Sequence, residues 1–459
     1  MKNAFFIQQS DGTARYTDTA GFLEDASNPW DQAHQLRVDD PTIRYAEPNL
    51  ADNNPLLRQV QQLPNEPGLE SDLPADEYDQ VWPFPSKPGR PSQPDKMIWH
   101  LQDAFAQLRS AWVKEDTSNQ LIRVAHFDTG YDPKHISFPK DNIEFDLQWN
   151  FIEDQQSAED LGSEGWLNQT GHGTGTLSIL AGKEVDLPNY GEFKGFLGIH
   201  HNIKIVPFRI SRSVILWKND AFAEALNKVI DYYDDESKRC HVVTMSMGGL
   251  PSKAWADAVN RAYEKGIFIV TAAGNNINRM TPSTLVYPAR FPRVTAACGV
   301  TYDYSPYYKP FGVSTLKVME GNFGPRAAMG KAMAAFTPNV PWAEWHQEAT
   351  VRINGAGTSS ATPQIAAAAA LYYQRYYTEL MAMPKGWQRV ETIRGAMYGS
   401  AAKKIKAGYQ NDVELYFGNG ILQASAMLEV KPADVNIQET PPVEVSWAFL
   451  KLITGTGLL

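Results

Sequence analysis

The chain has 459 residues, 43% of them hydrophobic and 20% charged, ordinary values for a globular protein with a large core. A formal net charge of −10 at pH 7, without any cluster of Lys and Arg, argues against nucleic acid as the main partner. Two cysteines, Cys240 and Cys298, are too few for a disulfide scaffold and suit a reducing compartment, where buried thiols act as small hydrophobes.

In chain order, residues 1–50 are mixed, with helical character over 31–38 and a short strand over 42–46. The apolar run near Phe5 is shorter than the roughly 7–15 residues of a secretory leader. No stretch reaches the roughly 18 apolar residues that would span a membrane, so a cytoplasmic location is expected. Residues 51–96 change character: prolines from Pro55 to Pro94 lie among acidic and polar residues, the composition of an extended linker.

Order begins near Ile98. A helix is expected over 104–112, then an apolar strand over 121–127 that ends at Asp128. A strand over 203–210, a helix over 220–233 and a strand over 241–245 follow. A helix over 252–265 leads to strands over 266–272 and 293–300. Strands alternating with helices imply βαβ units and a mostly parallel sheet covered on both faces. The tail, 429–459, holds Pro432, Pro441 and Pro442 and then an apolar stretch over 447–453.

Three short motifs lie in this α/β pattern. Val124-Ala125-His126-Phe127-Asp128-Thr129-Gly130 places a carboxylate at the C-terminal end of a strand, where open α/β sheets put functional groups. Gly171-His172-Gly173-Thr174-Gly175-Thr176 places an imidazole where a loop enters a helix, among glycines that permit close approach. Gly355-Ala356-Gly357-Thr358-Ser359-Ser360-Ala361-Thr362-Pro363 runs into an Ala-rich helix, and its N-terminal amides and dipole favour negative charge near Ser359. Each has a plainer reading: a turn, a structural histidine, and Thr358 or Ser359 as a helix cap.

Together, in the order Asp, His, Ser, these motifs resemble the subtilase family of subtilisin-like serine proteases over residues 97–428. Thr244-Met245-Ser246-Met247-Gly248-Gly249 is similar to the family's substrate-binding strand, and Thr271-Ala272-Ala273-Gly274-Asn275 to its oxyanion segment. Tyr416-Phe417-Gly418-Asn419-Gly420 is similar to the last turn before its closing helix. The resemblance implies a three-layer α/β fold and peptide-bond hydrolysis through an acyl-enzyme. It makes Ser359 the nucleophile, His172 the general base, Asp128 the orienting acid and Asn275 an oxyanion donor. Substrate would lie extended beside Ser246, Met247 and Gly248. No cofactor is needed for that chemistry and a protein or peptide is the implied substrate, with a regulatory protein as a further partner.

The chain departs from the family at several points. Gly175 follows Thr174 where a histidine is common, and Ser360 follows the nucleophile where methionine is common. Val286 stands where many relatives have glycine at the floor of the first specificity pocket, which predicts a shallow pocket for small or medium P1 residues. The loop over 183–194 differs from the family's calcium loop. Structural calcium stays an implication of the resemblance, with Asp186, Asn189 and Glu192 as candidates and a solvated loop as the plainer reading. Tyr45-Ala46-Glu47-Pro48-Asn49 resembles the end of an inhibitory propeptide, although 1–50 is only half the expected length. The organisation expected is thus a propeptide-like segment 1–50, a linker 51–96, a catalytic domain 97–428 and a tail 429–459. The expected role is limited intracellular processing of a protein or peptide precursor. Rival readings are a latent enzyme released by N-terminal cleavage or a partner, and a non-catalytic binding protein on the same scaffold.

Overall fold

Seven parallel strands form the centre of the computed structural model, which describes residues 4–11, 13–18, 36, 39–48, 97–115, 120–162, 168–187, 193–199, 203–216, 220–277, 283–310, 318–409 and 411–441. After an N-terminal trio, β1 (Ala4–Gln9), β2 (Ala14–Asp18) and β3 (Ile43–Pro48), the central strands follow. They are β4 (Ile122–Asp128), β5 (Trp149–Asn150), β6 (Ile203–Arg209), β7 (Val242–Met245), β8 (Phe268–Ala272), β9 (Thr295–Val300) and β10 (Ala332–Phe336). Their order across the sheet is β10-β9-β8-β7-β4-β6-β5.

Every residue of β4 is buried, as a strand covered on both faces must be. Alternation divides its side chains between two apolar layers. Ile122 and Val124 pack with Leu177 and the alanines 366–370 of one layer. Ala125 and Phe127 pack with Phe222, Leu226, Trp255 and Val259 of the other. The first layer contains helices α2 (His172–Ala181) and α5 (Gly357–Arg375), and the second α3 (Asp220–Tyr232) and α4 (Lys253–Lys265). The architecture is the three-layer α/β sandwich expected. His126 and Asp128 share the face of Val124, so both look toward α2.

Two expectations need correction. The helix expected over 104–112 is α1 (Leu108–Glu115). Gln107 takes φ 59, a left-handed conformation incompatible with a continuing helix, so the preceding residues form turns. The stretch 183–194 is not simply a solvated loop, because Glu184–Leu187 pairs antiparallel with Phe193–Phe196. Val185, Leu187 and Phe193 bury one face of that hairpin while Asp186 is exposed.

The N-terminal trio forms its own antiparallel sheet in the order β2-β1-β3. Phe6 enters the layer that holds Phe222 and Trp255, with Tyr16 and Tyr45 packed against it, and Nζ of Lys253 lies 5.6 Å from the Tyr45 ring. The tail runs over helices of the first layer, where the Tyr372 hydroxyl donates to the Val430 carbonyl at 2.9 Å, and reaches the end of α4, where the Tyr263 hydroxyl accepts from the Glu439 amide at 3.0 Å. The linker expected over 51–96 lies outside the described residues, as do the apolar end 447–453 and, apart from Leu36, the helical stretch expected over 31–38.

Candidate active site

The three motifs converge at the C-terminal edge of the sheet. Asp128 is the last residue of β4, His172 the first of α2, and Ser359 lies in the first turn of α5. The N-cap of α5 is Ala356 and makes no side-chain cap, so neither Thr358 nor Ser359 serves as that cap.

Nδ1 of His172 donates to Oδ1 of Asp128 at 2.7 Å, both side chains being buried. The Thr129 amide reaches the same oxygen at 2.8 Å, and the Thr176 hydroxyl reaches Oδ2 at 3.0 Å. Burial alone would raise the Asp128 pKa, but the charge and hydrogen bond of His172 and the donors around it outweigh that, leaving it below the ordinary carboxylate value. A carboxylate so held stays an anion and fixes the imidazole with Nε2 directed away from it.

The loop before His172 is held from below. Oδ2 of Asp160 accepts the Gly171 amide at 2.7 Å, and its Oδ1 lies 3.4 Å from Nη2 of the fully buried Arg209. Arg209 is paired with Asp128 in the register of β6 and β4, so neighbouring strand ends carry the anchor of the His172 loop and the carboxylate that His172 bonds. Gly175 is explained by packing: a Cβ there would lie 1.9 Å from Cε2 of Trp342, whose ring meets the His172 ring edge-on at 5.5 Å. The indole fills the space that a side chain at 175 would need.

On the nucleophile side, the Ser359 hydroxyl donates to the Ser246 carbonyl at 3.2 Å, and the Ser246 hydroxyl donates back to the Ser359 carbonyl at 2.9 Å. For the Ser359 hydroxyl to bond Nε2 of His172 it must turn away from the Ser246 carbonyl. Oδ1 of Asn275 accepts the Thr358 amide at 3.0 Å, which fixes the side-chain amide over the start of α5. A Cβ on Gly357 would lie 2.8 Å from Nδ2 of Asn275, and Gly357 takes φ +76, so glycine satisfies two demands at once.

A family model described as "Subtilase family" matches residues 119–420. The chain belongs to the subtilase family. Subtilases are subtilisin-like serine endopeptidases, and protein or peptide substrates come with that class. Subtilisin DY of Bacillus licheniformis is 27% identical over 213 residues, 46% of this chain and 67% of that protein. An extracellular serine proteinase of Thermus sp. (strain Rt41A) is 30% identical over 209 residues, 45% of this chain but 42% of that protein. The match thus spans less than half of that second relative. Among solved structures, fervidolysin from Fervidobacterium pennivorans superposes with a TM-score of 0.61 at 18% identity, covering 94% of this chain and 62% of that one. The prenylagaramide maturation protease PagA does so with 0.51 at 20% identity, covering 70% and 98%. At these identities the structures establish the shared fold.

In this subtilase the remaining candidates gather near Ser359, whose hydroxyl bonds the Ser246 carbonyl. Val286 stands between the backbones of two glycines: a Cβ on Gly248 would lie 2.3 Å from its Cγ2, and one on Gly274 2.8 Å from its Cγ1. The edge at Ser246, Met247 and Gly248 is already partnered within the chain at its glycine end. Gly248 and Gly249 already pair in parallel with Ile215 and Leu216, and the Gly248 amide donates to the Val214 carbonyl at 3.0 Å. The Gly249 amide is taken by the Tyr287 carbonyl at 2.8 Å. The chain's own segment occupies the position an added strand would take.

Of the calcium candidates only Asp186 is among the described residues. Asp186 is exposed, Asn189 and Glu192 lie outside the described residues, and among the described residues no three His, Cys, Asp or Glu side chains converge on one point. No described helix is long and apolar enough to cross a membrane. Sequence reasoning passed over Arg209, His126, Thr176 and Trp342 as site residues. The legible signal was a charge or imidazole inside an otherwise apolar strand, at Arg209 and His126; Thr176 and Trp342 gave none.

Proposed function

We propose that this subtilase hydrolyses peptide bonds through a triad of Ser359, His172 and Asp128. The observation that carries the reading is the buried 2.7 Å hydrogen bond from Nδ1 of His172 to Asp128, at the sheet edge that also holds Ser359. His172 takes the Ser359 proton as the hydroxyl oxygen attacks the scissile carbonyl, then gives it to the leaving amine as the C–N bond breaks. Water, activated by the same imidazole, releases the acyl group and restores Ser359. Asp128 keeps the base in its Nδ1–H tautomer and stabilises the imidazolium. The Asn275 side-chain amide and the Ser359 backbone amide at the start of α5 receive the negative charge on the carbonyl oxygen. No cofactor enters these steps.

Substrate lies extended along Ser246, Met247 and Gly248, held by main-chain hydrogen bonds. Its entry requires the segment 214–216 to part from Gly248 and Gly249. Val286 between Gly248 and Gly274 supports a shallow first pocket that takes small or medium P1 residues. A peptide library preferring Ala, Gly or Ser at P1 agrees with this; preference for Phe or Tyr overturns it.

A narrow pocket and a groove that must open fit limited processing of a protein or peptide precursor better than general digestion. The two buried thiols, Cys240 and Cys298, fit a reducing compartment, and cell fractionation with an antibody tests that placement. Latency is favoured by one specific observation: the β1–β3 sheet, with its propeptide-like end, packs through Phe6 on the layer containing α3 and α4. Removing residues 1–50 should then raise turnover; unchanged activity rules against inhibition by this segment.

The test of the central reading is labelling of the purified chain by a fluorophosphonate, read by intact mass, with Ser359→Ala as control. An adduct on the wild type alone supports the triad. Absence of an adduct on both, with or without residues 1–50, favours a non-catalytic scaffold.

A further inference from the structure

A second histidine stands behind the acid of the triad. His126 precedes Asp128 by two residues on β4, so both side chains leave the same face of the strand. Thr176 follows His172 by four residues on α2, so those two share one face of the helix. The strand pair and the helix pair meet as the four corners of a buried polar patch within an apolar layer. Nε2 of His126 lies 2.9 Å from Oγ1 of Thr176, Oγ1 lies 3.0 Å from Oδ2 of Asp128, and Oδ1 of Asp128 lies 2.7 Å from Nδ1 of His172.

We propose that His126 and Thr176 are positioning residues for the triad, a relay in which Nε2–H of His126 donates to the Thr176 hydroxyl and that hydroxyl donates to Oδ2 of Asp128. The proposal rests on the triad reading above. A hydroxyl has one hydrogen, and in the Thr176 case it has two acceptors within reach: Oδ2 of Asp128 and, at 3.3 Å, the Gly173 carbonyl of its own helix. The carboxylate is the closer and the stronger acceptor. His126 settles the choice further. As a donor it occupies a lone pair of Oγ1 and leaves the hydrogen for Asp128; as an acceptor it would claim that hydrogen and leave Oδ2 without it. With Oδ2 engaged, the carboxylate cannot swing, and Oδ1 stays on the imidazole.

Charge supports the same arrangement. The titratable groups facing His126 are Asp128 and His172, and burial brings the His126 pKa down to about 4 against the pull of Asp128. His126 therefore remains neutral where a serine protease works. It orders the carboxylate without cancelling the negative charge that the His172 imidazolium needs.

The experiment compares wild type with Thr176→Val, Thr176→Ser, His126→Gln, His126→Leu and the His126→Leu/Thr176→Val double variant. Active sites are counted with a fluorophosphonate, and kcat and KM are measured on a tetrapeptide p-nitroanilide with Ala at P1 from acid to alkaline pH. Thr176→Val should lower kcat about tenfold with KM changed by less than about twofold, the loss expected when a charged group forfeits a buried donor. Its acid limb of kcat/KM should move to higher pH, because a carboxylate short of a donor holds the proton on the imidazole more strongly. Thr176→Ser should restore both readouts. His126→Gln, which keeps an N–H donor, should stay near wild type, whereas His126→Leu should follow Thr176→Val. The double variant should lose no more than Thr176→Val alone, since both act through one hydrogen.

Unchanged kcat and pH profile in Thr176→Val overturn the relay, and so do losses that add in the double variant, the signature of independent packing. If Thr176→Val does not fold, the contrast between His126→Gln and His126→Leu decides in its place. A wild type that takes no label either with or without residues 1–50 removes the triad reading itself, whereas a labelled wild type with silent variants removes the relay alone.

Discussion

The acid–base side and the nucleophile side of the proposed site are built differently. Asp128 and His172 are buried, and both oxygens of the carboxylate accept hydrogen bonds from side chains or amides fixed on β4 and α2. On the Ser359 side Asn275 and Gly248 are half-buried, the serine hydroxyl is turned onto the Ser246 carbonyl, and the proposed recognition edge is paired with residues 215–216. The first side tunes charge, which needs a dry and rigid surround. The second receives a polypeptide, which needs backbone groups that exchange an internal partner for an external one. Rigidity and exchange are thus separated by the width of one triad.

The comparison breaks most severely at Arg209. Replacement by leucine leaves Asp160 buried without its counter-charge, and burial already raises the Asp160 pKa against the pull of the Gly171 amide and Arg209. A loss of about 3–5 kcal/mol of stability is expected, read as a lowered denaturant midpoint. A variant as stable as wild type would mean that the acid–base side does not depend on buried charge. On the other side, Asn275→Ala should cost kcat about 10²–10³, the loss known for the equivalent donor in a subtilisin, with little change in the melting curve. If KM rises and kcat holds, Asn275 serves substrate binding and not the oxyanion.

Strands and helices of the central layers were legible because β4, β6, β7 and β8 are buried on both faces and read as apolar runs, while α4 carries a periodic apolar face capped by Ser252. The convergence of Asp128, His172 and Ser359 was legible because they sit in short glycine-bounded motifs that local geometry requires. What sequence could not reveal depends on contacts far apart in the chain. The Trp342 ring lies over Gly175, and the segment 214–216 lies on Gly248, pairings that no local pattern specifies. The start of α1 was misplaced for the opposite reason: a single left-handed residue, Gln107, overrides helical composition.

Val286 sharpens the recognition side. Trimming it to glycine should empty the space between Gly248 and Gly274, and kcat/KM for Phe or Tyr at P1 should rise about 10–100-fold relative to Ala. An unchanged ranking would place the P1 determinant elsewhere. The melting midpoint and secondary structure of this variant should stay close to wild type, because Val286 is only half-buried.

The smallest expected effect per step is a pH dependence of stability, and it separates the rigid layers from the groove. Burial lowers the pKa of His126 to about 4 and, with nearby cations in the second case, of His100 and His241 to about 3. Each is neutral in the folded chain where the unfolded chain already takes up a proton. Stability therefore falls as pH drops from 6.5 toward 4, by about 1.4 kcal/mol per pH unit for each histidine once the unfolded state is fully protonated. Asp128 acts in a lower window: its folded pKa lies below the ordinary 3.8, so its contribution is present above that value and is lost as pH falls through the folded one. Unfolding midpoints measured from pH 7 to 4 should already slope downward between pH 6.5 and 5, above the ordinary carboxylate range, and His126→Leu should flatten that slope. A level curve between pH 6.5 and 4.5 would mean that these imidazoles gain protons in the fold, and the dry surround argued for the acid–base side would fail with it.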